Sequence, residues 1–274
     1  MERYTLDGDE NNNILSALND CSHFYNEKGS YRISIYGEIP YLRGNDNKNK
    51  AITNSLKGLM VPKGYISPLK YGSYSFFGCE KLEFLGEGVI GENMKDCKTL
   101  AHMFDGAKIK HIPDDLLLYC ENLIDVSYMF EACDIETIPK KLFHKCPKIK
   151  DMAHIFHRCD YLGEVPEGML DKCIELENME CAFQACRRLK SVPTNLFKYC
   201  TKLKNVKYAF AGENALGGYD RTQPLLTSNV PPLWERSDLP YGGVLDIGNK
   251  KWYHGYAFGC VNAANYDDVP EGWK

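Results

Sequence analysis

A short apolar phrase returns along residues 97–210, and it sets the expected architecture. From Cys120 the inward positions are Cys120, Leu123, Val126 and Phe130; the next phrase gives Cys133, Ile135, Ile138-Pro139 and Leu142-Phe143. The pair repeats as Cys146, Ile149, Met152, Phe156 and Cys159, Leu162, Val165-Pro166, Leu170. It returns as Cys173, Leu176, Met179, Phe183 and Cys186, Leu189, Val192-Pro193, Leu196-Phe197, and closes on Cys200, Leu203, Val206 and Phe210. The two halves differ, so the natural unit is 26–27 residues. One half carries Pro113, Pro139, Pro166 and Pro193; the other ends on Phe104, Phe130, Phe156, Phe183 and Phe210. A fixed period of this length marks a stacked repeat whose turns bury a shared core.

Each turn is expected to hold a short strand and a short helix or 3₁₀ turn. Proline followed by Asp-Asp-Leu-Leu or Lys-Lys-Leu-Phe suits the first position of a short helix, where its missing N–H costs nothing. The fold class is therefore an α/β repeat, a solenoid of 26–27-residue turns with short strands and short helices, capped at both ends. Residues 1–60 are expected to form an N-terminal cap or attachment segment, with a helix near 10–25, a strand at 31–36 and a polar loop at 43–50. Residues 61–274 form the solenoid. Within it, 211–255 is an irregular excursion rich in Gly and Pro, and 256–274 is a closing cap.

Composition narrows the class. The 274 residues are 44% hydrophobic and 26% charged, with net charge −4, which offers no basic footprint for nucleic acid. The longest apolar runs are too short to span a bilayer, and the polar, acidic start lacks the apolar core of a secretory signal. Of twelve cysteines, seven fall on two repeat positions, Cys120/146/173/200 and Cys133/159/186, with Cys79 ahead of the second. They read as rungs of a buried ladder of small side chains. No C-x-x-C pair suggests zinc.

The phrase Ala182-Phe183-Gln184-Ala185-Cys186-Arg187-Arg188-Leu189-Lys190-Ser191-Val192-Pro193 resembles the BspA-like leucine-rich repeats common in Bacteroides and its relatives, as does Ile155-Phe156 through Val165-Pro166. Val230-Pro231-Pro232-Leu233-Trp234 and the ending Val269-Pro270-Glu271-Gly272-Trp273 are similar to terminal caps of that class and of Bacteroides-phage proteins. The resemblance implies binding or adhesion rather than catalysis. With no export signal in the chain, it implies a virion component such as a tail, fibre or head accessory protein. A bacterial cell-surface adhesin seen without its leader and an intracellular interaction scaffold are the alternatives. The expected partners are a protein in an assembly, or a host surface protein or glycan; no cofactor, nucleic acid or membrane insertion is expected.

Candidate binding residues follow from the repeat. Two residues before each Phe stand His102, Tyr128, His154, Cys181 and Tyr208, a column that faces out if Phe faces in. His102 and His154 lie two turns apart, about 10 Å at sheet spacing, too far to share an ion. Trp234, Trp252 and Tyr253, with Trp273, read as either a glycan platform or an end cap. Charge drifts along the chain: acids gather between Asp105 and Glu136, whereas Arg187, Arg188, Lys190, Lys198, Lys202, Lys204 and Lys207 stand in a stretch without acids, a candidate basic patch. No nucleophile motif, zinc motif or P-loop occurs, so no catalytic or metal residue is assigned.

Overall fold

The computed structural model describes residues 56–61, 67, 69, 72–212, 226–236, 245–247, 250–252, 257, 263–270 and 273. The expected N-terminal helix, strand and polar loop lie outside these, as do Tyr253 and much of 211–255.

The repeat is built from turns rather than from regular elements. Thr99, Asp125, Asp151, Asn178 and Asn205 form one parallel column of single-residue bridges; His111–Thr137 and Glu164–Ser191 pair in the other half. Every offset is 26 or 27 residues. The same 26-residue offset joins β1 (Gly58–Leu59) to β2 (Phe84–Leu85) in parallel, so the stack already includes residue 58. Among the described residues no helix exceeds three residues: 3₁₀ turns at Glu92–Met94, Leu233–Glu235 and Tyr266–Asp268. β3 (Leu245–Ile247) and β4 (Lys250–Trp252) form a separate antiparallel pair.

The helices expected after each proline are thus replaced by consecutive turns. Leu116 N–H donates to Pro113 O at 3.1 Å, Leu118 to Asp115 at 2.9 Å and Cys120 to Leu117 at 3.2 Å. The same alternation follows Pro139, with Leu142 to Pro139 at 3.0 Å and His144 to Lys141 at 3.0 Å. Only six residues lie between each proline and the next cysteine rung, too few to repay helix nucleation. Adjacent residues must also both turn inward, as the buried pairs Leu116-Leu117 and Leu142-Phe143 do.

Between turns, alternate N–H groups form a regular staircase. Val126, Tyr128, Phe130 and Ala132 donate to the carbonyls of Asp151, Ala153, Ile155 and His157 at 2.8–3.0 Å. One turn on, Met152, His154, Phe156 and Arg158 donate to Asn178, Glu180, Ala182 and Gln184 at 2.8–2.9 Å. The intervening N–H groups of Met129, Glu131 and Cys133 close turns within their own rung. The backbone is satisfied without a continuous sheet, as buried amides require.

Two ladders fill the core. Phe76, Phe104, Phe130, Phe156, Phe183 and Phe210 stack with centroids 5.4–5.7 Å apart and planes within 16°, and each is buried. The cysteines among the described residues are buried free thiols, with Cys97 partly exposed, as the repeat predicts. They do more than fill space. Cys133, Cys159 and Cys186 direct Sγ at the carbonyls of Phe104, Phe130 and Phe156 in the preceding turn, at 3.1, 3.2 and 3.0 Å. Burial pushes these thiols well above their ordinary range and lifts Cys120 and Cys200 to about 12, so thiolate chemistry is suppressed.

A polar column fixes where each turn bends. Asp125, Asp151, Asn178 and Asn205 each accept, through Oδ1, the N–H two residues on, at 2.9, 2.8, 3.0 and 3.1 Å. Thr99 accepts from Ala101 at 3.2 Å. Such side chains supply the bend without another backbone partner. Neighbouring rungs also bond: Asn178 Nδ2 reaches both Asp151 carboxylate oxygens at 3.2 Å. Burial, opposed by the Ala153 and Asn178 bonds and reinforced by the Asp125 charge, raises the Asp151 carboxyl. A raised carboxyl contributes stability at low pH that is lost as pH rises through its folded pKa. Asp151→Asn, which matches its neighbours Asn178 and Asn205, keeps Oδ1 for the Ala153 and Asn178 bonds and removes the buried charge, so it should stabilise the fold at neutral pH by about 0.5–1 kcal/mol. The gain should shrink as pH falls into the range where the native carboxyl protonates. Urea titrations at several pH values would show it; a less stable variant at neutral pH would contradict the ladder.

The excursion is partly an insertion into an ongoing turn. Thr227 and Ser228 donate to Lys190 O at 2.9 and 3.3 Å, a rung contact with an offset of 37–38 instead of 26–27. Leu233, buried, and Trp234, packed against the core, stand 37 residues after Leu196 and Phe197 and continue that half of the repeat. Phe210 N–H donates to Ala257 O at 2.9 Å, as Phe183 does to Ala209 at 2.8 Å. Ala257 therefore takes the next rung. Val269 and Trp273, both buried, close this end, and Asn265 is paired with the Val230 backbone in both directions at 2.8 and 3.2 Å.

Candidate functional site

Along one side of the stack the backbone is held in the left-handed region at every turn. Tyr74, His102, Tyr128, His154, Cys181 and Tyr208 have φ between 55° and 60°. A second such column follows four residues later: Gly78, Gly106, Ala132, Arg158 and Ala185. Left-handed backbone costs a side-chain-bearing residue about 1–2 kcal/mol. The second column relieves part of that cost with glycine. The first contains no glycine and carries large rings at five of six rungs.

Those rings stack on one another. Tyr74–His102, His102–Tyr128 and Tyr128–His154 have centroids 4.5, 4.3 and 4.4 Å apart with planes within 12°. The stack ends where Cys181, 5% exposed, takes the next rung. Beyond it Tyr208 lies under the Lys207 ammonium, 4.9 Å from the ring centre. His102, Tyr128, His154 and Tyr208 are half-buried. Of the outward column expected from the sequence, Cys181 is instead buried, while the faces of Tyr74, His102, Tyr128 and His154 cover one another in a stack.

A second, acidic and imidazole column runs beside it, three residues on in each turn: Asp105, Glu131 and His157. His102 Nδ1 lies 2.8 Å from Asp105 Oδ2. His157 Nδ1 lies 2.8 Å from Glu131 Oε1 of the previous turn and 3.3 Å from His154 Nδ1. Burial raises Asp105, opposed by its bond to His102 and reinforced by the Glu131 charge; burial first and Glu131 second raise the Tyr128 phenol. The sequence reading missed this column. It placed outward residues by strand alternation, in which i and i+3 face opposite ways. The left-handed residues at i and i+4 turn the chain so that i and i+3 share a side. The recurring spacing His102-x-x-Asp105, Tyr128-x-x-Glu131, His154-x-x-His157 is the signal that carries it.

The candidate basic patch is largely paired across turns. Arg187 bonds Asp160 at 2.9 Å, Lys202 bonds Glu175 at 2.6 Å and Lys204 bonds Glu177 at 2.7 Å. Lys204 is the main cause that lowers the Glu177 carboxyl. The Arg188 guanidinium covers the Tyr161 ring at 4.7 Å. Lys190 is exposed. The stretch without acids in the sequence lies one turn above a row of acids, so it presents alternating charge. Trp234 is a partly buried stack residue, Trp252 lies in β4, and Tyr253 is outside the described residues. No helix among the described residues is long and apolar enough to cross a membrane.

No protein-family model matches the chain, and no curated protein matches it. Among solved structures it is similar to a leucine-rich repeat protein from Bacteroides ovatus, with 15% identity over 79% of this chain and 53% of that one, at a TM-score of 0.35. It is similar to a leucine-rich cell surface protein from Faecalibacterium prausnitzii, with 16% identity over 75% and 55% of the two chains and a TM-score of 0.22. A third is the Drosophila Toll–Spatzle complex structure, with 14% identity over 74% of this chain and 24% of that one, TM-score 0.28. The chain spans about half the length of the two bacterial structures. These neighbours are leucine-rich repeat proteins; the repeat architecture of this chain rests on its own 26–27-residue register and inter-turn bonding.

Proposed function

We propose that the chain is a non-enzymatic, protein-binding repeat protein whose partner docks along the Tyr74–Tyr208 side. The observation that carries this reading is the column itself: large rings held at left-handed positions, where glycine would be less strained, and flanked by acids. Binding surfaces favour such rigid aromatic groups because little side-chain entropy remains to be lost. The stacking also selects the class of partner. A sugar platform offers ring faces, whereas the faces of His102 and Tyr128 cover one another. Their edges and polar tips suit the donors, acceptors and cations of a protein surface. The virion setting, with host attachment, rests on the sequence resemblance; the geometry supports the binding role.

The test starts from the full chain on a glycan array and in affinity purification from the source that encodes it. A purified protein partner should then bind the Tyr128→Ser variant about tenfold or more weakly, the loss of an interface anchor. Tyr199→Ser, at an exposed tyrosine that is not part of the column, should leave affinity unchanged. Glycan binding without a protein partner, or loss of affinity on Tyr199→Ser alone, would overturn the reading.

A further inference from the structure

We propose that Glu131, His154 and His157 form a binding site for a first-row divalent transition-metal ion, zinc in the first place. The inference goes beyond the protein-binding reading and does not depend on it.

The three side chains come from two successive turns and offer one oxygen and two imidazole nitrogens within 4.8 Å of one another. Their contacts are awkward as hydrogen bonds alone. His157 Nδ1 faces Glu131 Oε1 at 2.8 Å and His154 Nδ1 at 3.3 Å. One ring nitrogen carries either one proton or one lone pair. If it carries the proton, that proton is shared between two acceptors; if it carries the lone pair, it faces the carboxylate oxygen without a proton between them. A cation at the point of convergence satisfies all three atoms at once.

The spacing of the two imidazoles fits an ion, and the three donors lie within 4.8 Å of one another. With metal–nitrogen distances of 2.0–2.1 Å, tetrahedral ligands lie roughly 3.3–3.4 Å apart, and the two imidazole nitrogens are separated by 3.3 Å. The Glu131 oxygen needs to withdraw by about half an ångström from His157 to reach the same spacing, and a glutamate side chain has the torsions to do so. Two imidazoles and one carboxylate, with a fourth place for water, are donors that suit zinc and its neighbours rather than calcium or magnesium.

The fold pre-positions the donors. The His154 ring is held by stacking on Tyr128 at 4.4 Å and 7°, and it meets His157 edge-on at 5.0 Å and 72°. His157 is 8% exposed, whereas Glu131 and His154 are half-buried, so the site has a rigid inner wall and a route to solvent. The other nearby set, His102, Asp105 and Glu131, is less suited. It offers one imidazole and two carboxylates, a donor set less suited to zinc than two imidazoles and one carboxylate.

The test is titration of the full, reduced chain with Co²⁺ and Zn²⁺, followed by calorimetry and by the visible spectrum of cobalt. One ion per chain is expected, with a cobalt spectrum lacking the thiolate charge-transfer band that cysteine ligation would give. Glu131→Gln and His157→Gln should each weaken binding by about 100-fold, at least the loss of an outer-shell partner. His111→Gln, at an exposed histidine in the other half of the repeat, should leave it unchanged. Glu131→Gln preserves shape and charge-free packing, and near-ultraviolet circular dichroism verifies that both variants are folded. Absence of binding, a thiolate band, or equal binding by the folded Glu131→Gln and His157→Gln proteins would overturn the proposal.

Discussion

Phe156→Ala is expected to lower the unfolding free energy by about 3–5 kcal/mol, the range for deleting a buried phenylalanine. Phe156 is fully buried, and its ring lies 5.6 Å from both Phe130 and Phe183. No single turn can bury its own core, so each rung is stable only through its neighbours. Removing a central ring therefore weakens two interfaces at once. Phe76, whose ring stacks on Phe104 alone among the Phe rungs described, should cost less as alanine. The comparison can be read from denaturant midpoints with unchanged slope. Equal losses at Phe76 and Phe156, or a loss at Phe156 below about 1 kcal/mol, would show that the ladder is not the shared core.

Asn205→Ala should cost about 1–3 kcal/mol, the penalty for stranding buried polar groups. Asn205 is 2% exposed. Its Oδ1 accepts the Lys207 N–H at 3.1 Å, and its Nδ2 donates to Glu180 at 3.0 Å. Alanine removes both partners and leaves an N–H without an acceptor. Asn205→Asp keeps the acceptor but buries a second carboxylate beside Glu180, so at neutral pH it should cost at least as much as alanine and recover as pH falls. If alanine is neutral while aspartate destabilises, the column acts only through charge and the bend is held by the backbone alone.

What could be read from the sequence followed how strictly each feature kept the period. The phenylalanine and cysteine ladders keep it, and their burial followed from spacing alone. The polar bend column Thr99, Asp125, Asp151, Asn178, Asn205 keeps it equally well. It was overlooked because polar residues on a periodic background read as surface, although Asn205 is buried. Trp234 was placed outside the repeat because an insertion moved its rung offset from 27 to 37. The basic stretch misled for a related reason: Arg187, Lys202 and Lys204 are distant from Asp160, Glu175 and Glu177 along the chain and adjacent across one turn. Conformation hid the rest. Short helices or 3₁₀ turns were expected where the chain makes successive turns closed by bonds to the residue three before. The Asp105–Glu131–His157 column was hidden by left-handed residues, which no hydrophobic pattern reports.

The most direct test of the binding role is site-resolved photo-cross-linking. A photoreactive phenylalanine analogue is placed at position 128, within the ring column, or at position 199, an exposed tyrosine outside it, and each folded protein is irradiated with its purified partner. The account predicts a cross-link to the partner from position 128 and none from position 199. A cross-link from position 199 with none from position 128 would place the partner elsewhere and contradict it.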